Sequence, residues 1–186
     1  MDSARRLLAF FGLMAFAALA AAIFGALHNQ LSFSVGPDYF RTFKFIQFAE
    51  FGVAAMPERV AVSVIGALAS WWMGLIIGFP AFLYGLVVIS DTRAYLAAGL
   101  GAVGTVMIVV LACAVAGLAV AMVMGDHPLF GFIGSPAAAE RLDFIRAGLM
   151  HTSSYFAGGA LGLITGVLVV RRAAKLARTE TRHAGT

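Results

Sequence analysis

Two short polar clusters interrupt otherwise apolar stretches of the chain and hold most of its reactive side chains. His28-Asn29-Gln30 closes the first apolar run, and His151-Thr152-Ser153-Ser154-Tyr155 opens the last one. His28 lies 22 residues after Arg6 and His151 lies 20 before Arg171. Helical rise puts both about 30 to 33 Å from a common basic boundary, hence at one level. If the first and fourth helices are neighbours, His28, Asn29 and Gln30 meet His151, Thr152, Ser153 and Tyr155. Asp126 and His127 would approach from one connection, and Asp38 or Tyr39 from another. Neutral imidazoles at His28 and His151 could ligate a metal or haem iron, and the whole group could hydrogen-bond a polar head group. The plainer alternative is that each His snorkels at the interface or bonds a neighbouring helix. Two histidines alone fall short of a metal site, which needs more ligands and supporting partners.

Other chemistries are poorly supported. The lone Cys113 sits deep in an apolar run and reads as a packing residue. Ser153 and Ser154 near His151 suggest a nucleophile, but serine in a helix more often bonds a backbone carbonyl. Gly99-Leu100-Gly101-Ala102-Val103-Gly104 matches the dinucleotide pattern without the preceding soluble strand that the pattern requires. The apolar stretches hold almost no ionisable groups, which counts against a pump or a coupled transporter. Trp71-Trp72 reads as packing, or as one indole turned to lipid.

These clusters need helices in lipid to position them. Hydrophobic residues make up 61% of the 186 and charged residues 12%, with mean hydropathy +0.93, whereas soluble domains are about a quarter charged. The expected fold is an all-α membrane protein, a single domain forming a four-transmembrane-helix bundle. Its spans are 7–27, 60–89, 96–124 and 147–170, with outer connections 28–59 and 125–146 and a basic tail 171–186. The 21-residue run Leu7 to Leu27 exceeds the apolar core of a signal peptide and reads as a retained span, despite small-residue cleavage patterns near Ala20. The stretch 60–89 is about 45 Å long as a helix, so it must tilt, kink at Pro80 or project from the bilayer. Pro57 fits its first turn and Ser135-Pro136 begins another helix.

Charge placement orients the chain. The ends and the 90–93 turn hold 8 Lys or Arg and 3 acids, and the outer connections hold 5 and 6. That asymmetry predicts both termini in the cytoplasm and argues against nucleic acid as the reason for the basic excess.

The first outer connection is an aromatic segment. Leu31, Phe33 and Val35 alternate with Ser32 and Ser34 in a strand-like pattern, and Gly36-Pro37 breaks it. Beyond it Phe40, Arg41, Phe43, Lys44, Phe45 and Phe48 suit an interfacial helix that touches lipid or a partner. Small residues spaced by four supply helix contacts: Ala17, Ala21, Gly25; Gly66, Ser70, Gly74, Gly78; Cys113, Gly117, Ala121, Gly125; and Ser154, Gly158, Gly162, Gly166. They are expected mainly to join helices of one chain.

The run His28-Asn29-Gln30-Leu31-Ser32-Phe33-Ser34-Val35-Gly36-Pro37-Asp38-Tyr39-Phe40, followed by Phe43-Lys44-Phe45 and Gln47-Phe48, resembles a signature of uncharacterised bacterial four-span integral membrane proteins. The resemblance implies a bacterial inner-membrane protein and transfers no catalytic roles. The expected function is a non-enzymatic accessory, scaffold or assembly subunit that presents the aromatic segment to lipid, to a membrane-protein partner or to a second copy. The alternatives are binding of a metal, haem or lipophilic ligand at the polar cluster, and a membrane enzyme that uses it. No cofactor is specified by the sequence.

Overall fold

The computed structural model describes residues 2–125 and 141–183, with side chains for all of these but 2, 141 and 180–183. These residues are helical almost throughout: α1 (Asp2–Val35), α2 (Pro37–Tyr39), a π turn (Phe40–Lys44), α3 (Phe45–Gln47), α4 (Glu58–Val88), α5 (Thr92–Met124), α6 (Arg141–Ser153), a second π turn (Ser154–Gly158) and α7 (Gly159–His183). Two 3-10 turns, Ala49–Phe51 and Val53–Ala55, precede α4. Among the described residues four helices are long and apolar enough to cross a membrane: Ser3–Val35, Glu58–Val88, Thr92–Met124 and Leu142–Thr179, the last running from α6 through its π turn into α7. Exposed Leu8, Val87, Ile108, Val123 and Phe156 give them an apolar exterior. Trp71 and Trp72 are both on that outside, 46% and 39% exposed, rather than packed within.

The strand-like reading of 31–35 is corrected by the structure, because α1 continues through these residues. Ser32 and Phe33 are buried. The serines fold their hydroxyls onto helix carbonyls, Ser34 Oγ to Gln30 at 3.0 Å and Ser32 Oγ to Asn29 at 3.3 Å, which satisfies them without leaving the helix. Tertiary packing thus overrides the local alternation. His28, Asn29 and Gln30 consequently lie inside a helix, not in a connection. α1 stops at Gly36-Pro37, where proline offers no N–H. A Cβ on Gly36 would also strike the Asp143 carbonyl of α6, so only glycine permits that approach.

α1 packs most extensively on α4. Their backbones touch, since a Cβ on Gly66 would overlap the Gly25 carbonyl and one on Gly74 would overlap that of Ala17. The small residues of the last span meet α5: Gly158 faces Val110, while Gly162 and Gly166 face Val106. Gly117 faces Ser153 and Leu149. All these ridges therefore join helices of the same chain.

The two ends of the helices differ. At the arginine end, Arg6 donates to the carbonyls of Leu86 and Ile89 and so caps the last turn of α4. Pro80 lies within α4, and Pro57 stands just before its first turn as the N-cap. Asp91 accepts from Ala94 N at 2.7 Å to cap α5, and the Tyr95 hydroxyl donates to the Phe82 carbonyl at 3.1 Å. Phe10, Leu13, Phe82, Tyr95 and Val170 form the core there. The opposite, histidine end carries the polar cluster and the aromatic segment. The expected helix start at Ser135-Pro136 lies outside the described residues.

Candidate functional site

On α1, His28, Asn29 and Ser32 fall at positions i, i+1 and i+4, so helical periodicity turns them toward one side. On the last span, His151, Ser154 and Tyr155 follow the same logic at i, i+3 and i+4. The site forms where the two faces meet. Among the described residues, the buried polar side chains are His28, Asn29, Ser32, His151 and Ser154. They share one cluster, although a polar group in an apolar bundle is expensive unless it is bonded.

The two imidazoles meet edge to face, with ring centroids 4.8 Å apart. Ser32 Oγ lies 2.9 Å from Nε2 of His151. If the Ser32 hydrogen goes to the Asn29 carbonyl, its lone pairs accept from the Nε2–H of His151, which satisfies both side chains. Asn29 Nδ2 donates to the Val62 carbonyl of α4 at 3.0 Å. Ser154 Oγ donates to the His151 carbonyl at 2.8 Å, and the Tyr155 hydroxyl to that of Ala69 at 3.0 Å. The π turn at Ser154–Gly158 begins within this group, a distortion found often at functional sites. Tyr39 stacks on His151 at 4.9 Å, Phe40 meets it edge-on at 5.7 Å, and Phe24 stacks on His28 at 5.9 Å. Burial first, and Tyr155 alongside second, hold the Tyr39 phenol above its ordinary range, so it stays protonated. Within this cluster one described side-chain atom is left over: Nε2 of His28 is buried without a hydrogen-bond partner.

Toward the arginine end, the cluster roofs a slot of ≈ 100 Å³ between all four spans. Its walls are almost wholly apolar, from Ala21 and Phe24 on α1 through Met73 and Ile77 on α4 to Val106 and Met107 on α5. An apolar cavity of about 150 Å³ in another protein holds benzene, so a slot of this order suits a narrow apolar group.

The sequence-predicted residues divide in two. His28, Asn29, His151, Tyr39 and Tyr155 come together. Gln30 does not, because its Nε2 donates to the Arg59 carbonyl and to Ser63 Oγ, both at 2.7 Å. Asp38 points to Arg41, 3.8 Å away, and Ser153 packs at Gly117 on α5. Asp126 and His127 lie outside the described residues. Of the aromatic segment, Phe40 is fully buried in the protein rather than in lipid, Phe45 and Phe48 pack near Ile65, and Phe43 is exposed. Arg41 pairs with Glu58 at 2.7 and 2.9 Å. Ser32 was missed as a site residue. Its spacing of four from His28 was the available signal, hidden by the strand-like alternation around it.

Compared with protein-family models, curated proteins and solved structures, the chain matches none.

Among the described residues no three His, Cys, Asp or Glu side chains converge on a metal position, and Nε2 of His151 is already engaged by Ser32. The Ser32–His151 pair has the spacing of a nucleophile and its base. However, Ser32 is fully buried, and no described carboxylate bonds the other ring nitrogen to orient it. The arrangement is better suited to hydrogen-bonding a polar group at the mouth of an apolar slot.

Proposed function

We propose that this chain is a non-catalytic membrane protein that holds a lipophilic molecule between its four spans, with the polar part of that molecule at the His28–His151 cluster. The observation that carries the reading is the unpartnered Nε2 of a buried His28, placed at the roof of an apolar slot. A ligand oxygen there would remove the cost of leaving that group unbonded, about 1 to 3 kcal/mol. The basic excess at the arginine end supports both termini in the cytoplasm, and the resemblance of the aromatic segment supports a bacterial inner membrane.

Mass spectrometry of protein solubilised gently from native membranes tests this. A lipophilic molecule should accompany the wild type in stoichiometric amount and be lost from Ala21→Phe, which places a ring in the slot. No such molecule, or equal amounts in both proteins, would overturn the proposal.

One observation favours a second reading, the accessory subunit. Phe43, Ile46 and Phe51 on the aromatic segment are 42%, 69% and 57% exposed, a surface suited to a partner or to lipid. A protein recovered in fixed ratio, and released by Ile46→Asp, would favour that role.

A further inference from the structure

A second concavity lies beside the slot at the histidine end. It is an open recess of ≈ 630 Å³ between the aromatic segment, α4 and the start of the second π turn. Met73, His151 and Tyr155 line both spaces, which adjoin along these side chains. Trp72 and Phe156 belong to the recess and are exposed on the apolar exterior, so it meets the surface that lipid would cover.

Among the described residues that line it, the recess has one cation, Lys44. Among the described residues its ammonium pairs with no carboxylate, and it donates to Gln47 Oε1 at 2.9 Å while lying over the rings of Phe43 and Tyr39 at 4.9 and 5.7 Å. Its neighbours in the segment are committed elsewhere. Arg41 holds Glu58, and Arg59 donates to Gln30 and Ser34 and sits over Phe33. Inward from Lys44, packed rings follow in the order Tyr39, His151 and His28, with Tyr39 4.9 Å from His151 and His151 4.8 Å from His28, the ring with the unpartnered nitrogen. A cation, then a hydrogen-bonding group, then an apolar slot is the order of a phosphate, an ester and an acyl chain.

Taking the slot as a lipophilic site, as proposed above, we infer that its occupant is an anionic glycerophospholipid of the surrounding bilayer. Its phosphate rests on the Lys44 ammonium, an ester carbonyl accepts from the Nε2–H of His28, and a short segment of one acyl chain passes Met73 and Tyr155 into the slot. Burial in the recess already lowers the pKa of Lys44 to about 8, the condition that a bound phosphate would relieve. The remaining chain stays in the membrane past Trp72 and Phe156.

Native mass spectrometry in a neutral maltoside detergent tests this with two probes, oleoyl lysophosphatidylglycerol and monooleoylglycerol, which share the ester and the chain and differ in the phosphate. The phosphate-bearing probe should bind at least about ten-fold more tightly. Lys44→Gln should erase that preference and leave monooleoylglycerol binding unchanged, Lys44→Arg should keep it, and Ala21→Phe should block both probes. Circular dichroism and gel filtration should match across the variants. Equal binding of the probes, or no change in Lys44→Gln, with Ala21→Phe still blocking both, overturns the phospholipid and leaves the slot as a ligand site. Binding of neither probe, or no effect of Ala21→Phe, overturns both. Competition by glycerol phosphate alone at the same concentration would also overturn it, since the recess would then be a site for soluble anions.

Discussion

His28 of α1 and His151 of α6 lie edge to face with ring centroids 4.8 Å apart, and both are buried. Cysteines at both positions, with Cys113→Ser to remove the native thiol, should crosslink within intact membranes. Absence of a crosslink under conditions that couple a control pair at Ala81 and Gly166, whose Cβ positions lie 3.7 Å apart, would show that the two helices do not meet at this level.

Ser32 has no exposed surface and stands 2.9 Å from Nε2 of His151. Ser32→Ala leaves that nitrogen buried and unbonded. The expected loss of stability is about 1 to 3 kcal/mol, read as a lower thermal midpoint in detergent. Ser32→Thr keeps the hydroxyl, and recovery there would separate the lost hydrogen bond from a general loosening. A midpoint unmoved by Ser32→Ala would mean that water replaces the hydroxyl.

Glycines on the two packing ridges should differ in tolerance. A Cβ on Gly66 meets backbone of α1, whereas one on Gly162 meets a methyl of Val106 at 3.1 Å, which can rotate aside. Overpacking costs about 1 to 3 kcal/mol and occasionally more. Gly66→Ala should therefore sit at or above the top of that range and Gly162→Ala near its bottom, with Gly162→Leu costly because its side chain forces α7 from α5. Thermal unfolding of the three variants checks the order, and equal midpoints for the two alanine variants would contradict it.

Burial pushes the pKa of Lys44 down to about 8 from an unfolded value of 10.5. The folded protein therefore penalises the charged form, and the full penalty is present below pH 8. Between about pH 8 and 10.5 the unfolded chain binds the additional proton, so stability should rise with pH across that window. The thermal midpoint of ligand-free protein should climb from pH 8 to 10, and Lys44→Met should remove that part of the climb. Parallel wild-type and Lys44→Met curves would mean that the ammonium is fully hydrated.

The proposed orientation, with the arginine end in the cytoplasm, predicts that single cysteines at Arg93 and Thr179 resist an impermeant thiol reagent in intact cells, while one at exposed Phe51 reacts. Labelling of Arg93→Cys with protection of Phe51→Cys would reverse the orientation.

Membrane-spanning helices were legible in the composition because apolar runs of this length, nearly free of charge, can satisfy their backbone groups in lipid only as helices or closed barrels. The shared level of His28 and His151 was legible too, since helical rise is the same in every span and needs only counting from the basic boundary. Ridges of small residues announced close contacts. Which ridge met which could not be read, because Gly25 against Gly66 and Gly162 against Val106 are choices among faces with equivalent spacing.

Tertiary structure alone decided the site. Residues 31–35 carry an alternation that fits a strand, and only burial against neighbouring helices keeps them in α1, which brings Ser32 to His151. Gln30 and Asn29 are adjacent and chemically alike, yet successive residues point about 100° apart around a helix. One therefore joins the buried cluster and the other is drawn to Arg59 and Ser63. The slot is a space between four helices and belongs to no segment of sequence, so it exists only once their small residues have set how closely the backbones approach.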